Sequence, residues 1–232
     1  MIPIRHTLER HETAFVNRAL VGANVAVFMV QLLIGPRAVG LMRAYGFVPA
    51  RLIHPQTFGY TLLEATVTLF TSLFLHGGLV HLAGNMTYLW VFGSSVEEDL
   101  GHFRYFVFFI CGGAIGSLLH TALFPQSMIP SIGASGSIAG VLGVFLILHP
   151  RAHIVTLFPL VVYWAMAEIP ALYLLPVWFL MQFLNGFLSL AAARGMQEVA
   201  GIAWWAHVGG FVFGAIVGGM LRHVHSASRP SQ

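Results

Sequence analysis

The strongest constraint on this chain is the recurrence of apolar segments about as long as a lipid bilayer is thick. A spanning helix needs roughly 20 apolar residues, because that length crosses the ~30 Å hydrocarbon layer with its backbone polar groups paired internally. Phe15 to Ile34 meets the requirement, with Asn17, Arg18, Asn24 and Gln31 as its polar exceptions. Further segments run from Gly78 to Val96, Phe103 to Leu123, Ile132 to Leu148, Pro170 to Ala191 and Ile202 to Leu221. Only 8% of the residues are charged and 57% are hydrophobic, whereas a soluble domain is about one quarter charged. The expectation is an all-α polytopic membrane protein, a six-transmembrane-helix bundle. It forms a single membrane domain over 1–232, with a core over 66–222 and polar tails at 1–13 and 223–232.

The connections are read from prolines and charges. Gly35 to Thr66 carries Pro36, Pro49, Pro55, three arginines and Glu64, and part of it is expected to lie amphipathically in the interface. Glu97-Glu98-Asp99 reads as an acidic turn, Gln126 to Ser131 and Arg194 to Ala200 as loops, and Arg151 to Glu168 as an interfacial connection broken by Pro159. The first segment is longer than a signal-peptide core and no small-x-small site follows it, so it reads as an uncleaved helix. Cys111 alone excludes an intramolecular disulfide or a cysteine metal cluster and reads as an inert buried thiol. Net charge is +3 without a run of like charge, which speaks against nucleic-acid partners. His102, His149, His153, His223 and His225 sit at segment ends and read as interface residues.

Arginine placement sets the expected orientation. With the N-terminus inside, Arg5, Arg10, Arg18, Arg104, Arg151, Arg222 and Arg229 are internal, against Arg37, Arg43, Arg51 and Arg194 outside. Helices two, four and six then all run from outside to inside. Three polar clusters open those helices and therefore share one membrane depth: His76-x4-His81-x3-Asn85, Gly133-Ala134-Ser135-Gly136 and Ala206-His207-x2-Gly210-x3-Gly214.

Each cluster has two readings. Polar side chains inside a bilayer are costly and mark function by default. Yet Ser135 can bond back to its own helix, and Gly133, Gly136, Gly140 and Gly143 at 3-4-3 spacing form a stripe for close helix contact. His207, Gly210, Gly214 and Gly218 share one helix face, which brings the imidazole to a tight seam, either for packing or to accept a serine proton. His81 and Asn85, four apart, share a face and can donate to one developing anion. His76, before Gly77-Gly78, reads either as an interface histidine or as part of the site. A lipase elbow is excluded because Ser137 stands where its second glycine belongs and no strand is expected. A zinc site is disfavoured by the five-residue spacing of His76 and His81 with no glutamate between them. A full triad lacks its carboxylate, since Glu64 and Glu198 fall in loops and Glu168 on the inner side. A Ser–His dyad remains.

The three clusters, in this order and spacing within a six-helix frame, resemble the signatures of the rhomboid intramembrane serine proteases over roughly Thr66 to Arg222. The resemblance implies Ser135 as nucleophile and His207 as base and then acid. It also implies Asn85, His81 and the Ser135 N–H as the oxyanion hole; His76, Gly133, Gly136, Gly210 and Gly214, which belong to the same clusters, are expected to support the site. It implies transmembrane protein substrates, contact with lipid, no metal and no cofactor, and leaves the oligomeric state open. Two positions depart from the pattern. The first loop has no Trp-Arg pair, and Ala139 stands where many members place an aromatic ring under the histidine. The expected function is an intramembrane serine endopeptidase of a prokaryotic plasma (inner) membrane, its N-terminus cytoplasmic and its active site towards the outer face. The alternative is a catalytically silent relative that binds transmembrane helices.

Overall fold

Helices begin and end where side chains supply what the backbone lacks, and the two ends of the first helix set the frame. The computed structural model describes residues 1–9, 13–159, 164–194 and 202–227. The helices are α1 (Phe15–Leu33), α2 (Ala38–Tyr45), α3 (Pro49–Ile53), α4 (Leu62–Thr71), α5 (Leu79–Leu100), α6 (His102–Leu123), α7 (Ser135–Leu148), α8 (Ala171–Arg194) and α9 (Trp204–Ala227). Ala14 gives α1 no side-chain cap. Glu97 of α5 acts instead, its carboxylate accepting from the N–H groups of Val16 at 3.0 Å and Asn17 at 2.6 Å. Asn17, Asn24 and Gln31 recur every seven residues, so they form one stripe, and all three are buried against the bundle.

Among the described residues, four helices, α1, α6, α8 and α9, are long and apolar enough to cross a membrane. A fifth candidate is the pair Leu62–Phe74 and Leu79–Leu100, bent by 81° at the break that holds His76. At 14 residues α7 is short, about 21 Å at 1.5 Å per residue. Every residue from Gly136 to Phe145 is buried, so α7 is surrounded by protein and needs no match to the lipid thickness.

Several expectations are corrected. The acidic stretch Glu97-Glu98-Asp99 is the last turn of α5 and not a turn between helices. The charges are tolerated there because Glu97 holds α1 and His102 (2.6 Å), and Asp99 meets His149 of the α7 C-terminus at 2.8 Å. His102 and His149 are therefore hydrogen-bonded to carboxylates rather than free interface residues. Cys111 is exposed on α6 rather than buried. The long first connection is largely helical, and α4 starts with a capping box in which Thr61 and Glu64 satisfy each other's backbone N–H groups.

The all-α expectation fails at one place. Strands β1 (Ile2–His6), β2 (His153–Pro159) and β3 (Trp164–Pro170) form an antiparallel sheet in the order β1-β2-β3, with Ile2 opposite Leu157 and His153 opposite Pro170. Ile154, Val155 and Thr156, β-branched and buried, suit an extended chain. The interfacial connection thus supplies the central strand and most of one edge strand of a sheet completed by the N-terminal residues. His6 fastens it to α5: its Nδ1 accepts from the Leu8 N–H at 3.2 Å, and its Nε2 lies 3.0 Å from Ser95 Oγ. Arg10, Arg229 and most of the Arg194 to Ala200 loop lie outside the described residues.

The glycine stripes interlock. A Cβ at Gly210 would overlap the Gly136 carbonyl, one at Gly214 the Gly140 carbonyl, and one at Gly143 the Phe211 carbonyl. The matched residues rise together in both helices, so α7 and α9 run parallel with their N-termini side by side. On α5, His81 lies against Gly133, and Phe92 meets Phe145 edge-on at 4.9 Å between ring centroids, so α5 runs the same way.

Candidate active site

The parallel course of α5, α7 and α9 gathers their N-terminal ends, and the site is built there. Ser135 is the first residue of α7 and follows Ala134, which offers no side-chain cap. The first helical bond runs from the Ile138 N–H to the Ala134 carbonyl, so earlier N–H groups have no acceptor within the helix. This leaves the positive end of the α7 dipole around the serine.

Ser135 Oγ lies 2.7 Å from Nε2 of His207, whose helix is brought close by the glycine seam. Gly136, Gly210 and Gly214 build that seam and touch the reacting atoms only through it. The same seam that packs the two helices also brings the hydroxyl and the imidazole together.

Gly133 is set apart from the stripe. It precedes α7 with φ +111°, and a Cβ there would lie 2.7 Å from His81 Nε2 and 3.2 Å from the Asn85 amide nitrogen. Only glycine lets the strand before Ser135 pass this close to α5. Its N–H donates to the Ser72 carbonyl at 2.9 Å, and Phe47 and Ser131 exchange backbone hydrogen bonds at 3.1 and 2.7 Å. The first loop thereby holds the segment leading to the serine. Arg51 in turn holds that loop, reaching the Arg43 carbonyl at 2.5 Å and lying over the Tyr60 ring at 5.0 Å. This is the anchorage where a Trp-Arg pair is lacking.

The donors on α5 are oriented from beneath. The Asn85 amide nitrogen can only donate, and it lies 2.9 Å from His76 Nε2, which therefore accepts. Its second hydrogen remains for another acceptor. His76 is buried, 1% exposed, so of its two readings the structure disfavours that of an interface residue. Gln31 of α1 clamps its backbone, donating to the His76 carbonyl at 2.9 Å and accepting from the His76 N–H at 3.0 Å. His81 Nδ1 accepts from the Gly77 N–H at 3.4 Å, leaving Nε2 to carry the ring hydrogen towards Gly133.

Ser135, His207, Asn85, His81 and His120 line one cavity of about 800 Å³, bordered by apolar residues such as Ile132 and Ile202. Among the described residues, no group of three or more His, Cys, Asp or Glu is placed to hold a metal ion.

One site residue escapes the motifs. Gln182 of α8 is buried, and its Oε1 lies 2.8 Å from His207 Nδ1. Trp178, one turn earlier, has its ring 6.2 Å from the imidazole, while Ala139 carries no ring to place there. The signal is legible in retrospect: Trp178, Gln182 and Gly186 share a face of α8, and glutamine in an apolar helix asks for a partner.

Comparison with known proteins places the chain in a family. The chain is similar to RHOMBOID-like protein 6, mitochondrial, of Arabidopsis thaliana, 29% identical over 61% of this chain and 54% of that protein. It is also similar to Rhomboid protein 1, mitochondrial, of Saccharomyces cerevisiae (32% identity, 59% of this chain, 37% of that protein). Rhomboid protease GluP of Bacillus subtilis is 42% identical over 34% of this chain and 15% of that protein. The chain thus spans about half, or less, of the length of these relatives. Mitochondrial and bacterial proteins appear together, which gives no support to the expectation of a prokaryotic plasma membrane in particular. The family model described as the Rhomboid domain matches residues 64–224, well over half of the chain and every helix that carries the site, so this integral membrane protein belongs to the rhomboid family.

Proposed function

We propose that the chain is an intramembrane serine endopeptidase that cuts transmembrane protein substrates through Ser135 and His207. The observation that carries this reading is the 2.7 Å contact between Ser135 Oγ and His207 Nε2 in a cavity also lined by Asn85 and His81. His207 takes the Ser135 proton as Oγ attacks the scissile carbonyl. The oxyanion then receives hydrogen bonds from Asn85, His81 and the Ser135 N–H at the α7 dipole. His207 returns the proton to the leaving amine, and water cleaves the acyl-enzyme by the same route in reverse. The chain's residues are sufficient for each step without a cofactor.

In this reading all six helices cross, with α5 and α7 as the second and fourth, and the N-terminus lies opposite the site. The short α7 sets Ser135 below the membrane surface, and the cavity carries water to it. The test is cleavage of a model transmembrane substrate in vesicles: the wild-type chain should cut it, and Ser135→Ala and His207→Ala should not. Cleavage that survives Ser135→Ala would overturn the reading. A helix-binding protein without activity is what remains if the wild-type chain binds the substrate and leaves it intact.

A further inference from the structure

A histidine serves as a base only if the ring nitrogen facing its substrate lacks a hydrogen. Neutral imidazole carries one hydrogen on Nδ1 or Nε2, and the partner of the far nitrogen decides which. Nε2 of His207 faces Ser135 Oγ. Nδ1 faces Oε1 of Gln182 at 2.8 Å. A carboxamide oxygen only accepts, so the ring hydrogen belongs on Nδ1 and the Nε2 lone pair is left for the serine. Were the amide reversed, its NH2 group would donate to Nδ1, the hydrogen would move to Nε2, and the dyad would be blocked.

Three features hold Gln182 to this task. It is buried, 8% exposed, so water does not compete for Nδ1. Its helix is tied to α9 on both sides: Trp178 lies beside His207 and Phe211, and Trp205 Nε1 donates to the Gly186 carbonyl at 3.0 Å. The position under the imidazole that could carry a ring is Ala139, so the ring's orientation rests on α8. When Ser135 transfers its proton, His207 becomes an imidazolium and its Nδ1–H bond to Gln182 becomes charge-assisted, hence stronger. The gain falls mainly on the transition state. Gln182 gains no proton at any step.

We propose that Gln182 is a positioning residue, a neutral third member that fixes the tautomer of His207 and steadies its charged form. The proposal rests on the Ser135–His207 reading, and its test separates the two. In the purified full chain, Gln182→Met keeps the volume and removes the acceptor, whereas Gln182→Glu keeps an acceptor oxygen. Fluorophosphonate labelling and cleavage of a transmembrane substrate are followed together with thermal unfolding. Gln182→Met should slow labelling and lower kcat by about ten- to a hundredfold with KM nearly unchanged, the scale of one lost buried hydrogen bond to a catalytic base. Gln182→Glu should keep most of both. Wild-type labelling with an equally fast Gln182→Met overturns the proposal and leaves the dyad standing, whereas a wild-type chain that neither labels nor cuts overturns the dyad itself. Gln182→Glu as slow as Gln182→Met at equal thermal stability also overturns the proposal, because the acceptor would then be immaterial. One measurement needs no folded Gln182 variant. Nitrogen-15 spectra of histidine-labelled wild-type protein, with His207 identified by its loss in His207→Gln, should show a protonated Nδ1 and a bare Nε2. The opposite tautomer would overturn the proposal.

Discussion

The bundle has a polar cluster at each end, and they treat similar residues in opposite ways. At the α1 N-terminus, Glu97 takes two backbone N–H groups and His102, Asn17 donates to the Leu89 carbonyl, and the Tyr105 hydroxyl donates to Asn17 at 2.7 Å. That cluster is closed on itself. At the other end, Asn85, His81, Ser135 and His207 are oriented from behind by His76, Gly77 and Gln182 and face a cavity. His120, which lines that cavity, keeps a buried Nδ1 without a hydrogen-bond partner. Burial of polar atoms therefore does not by itself distinguish a site from a brace. What distinguishes them is whether donors and acceptors are spent within the protein or held ready for another molecule.

The sharpest way to break this comparison is to alter one residue at each end. Ser135→Ala or His207→Ala should lower substrate cleavage by roughly 10⁴-fold or more, while thermal unfolding stays at the wild-type value. Asn85→Ala should lower kcat by about 10²–10³ with KM nearly unchanged, since it donates to charge that exists only in the transition state. Steady-state kinetics normalised by active-site titration measures this, and an unchanged kcat would move Asn85 to the structural side. Glu97→Ala should do the reverse, costing about 3 kcal/mol of stability through two unpaired N–H groups while kcat per folded molecule holds.

Smaller effects sharpen the boundary between the two ends. Gly214→Leu must push against the Gly140 backbone, so both unfolding temperature and activity should fall, by about 1–3 kcal/mol in stability. Cys111→Ser, on the exposed face of α6, should change either quantity by no more than about 0.5 kcal/mol. In that background, cysteines replacing Gln126 and Arg151 should react from opposite sides with an impermeant thiol reagent. Labelling of both from one side would refute the crossing of α7.

How legible each region was follows from the range of its interactions. The long helices announce themselves because twenty apolar residues have few other uses, and the site motifs because their spacing is local. The sheet was hidden: β2 finds one partner in the N-terminal residues, and nothing in Ile2–His6 taken alone asks for a strand. The last turn of α5 is hard to read because three acids look like a loop until their partners, α1, His102 and His149, are known. Gln182 lies 25 residues before His207, in a segment legible only as apolar. Parity of helix direction assigns Ser135 and His207 only a common depth; their 2.7 Å contact depends on the packing of α7 against α9. Gln31 and His76 joined only when α1 was seen against the break between α4 and α5.

The central claim is that the Ser135 hydroxyl is made nucleophilic by His207. Covalent labelling of the purified protein by a fluorophosphonate probe measures this directly, since the probe needs an activated serine and no natural substrate. The wild-type chain should label at one site, identified as Ser135 by peptide mass, and His207→Ala and Ser135→Ala should not label while remaining folded. Labelling of His207→Ala at the wild-type rate, or attachment at another serine such as Ser137, would contradict it.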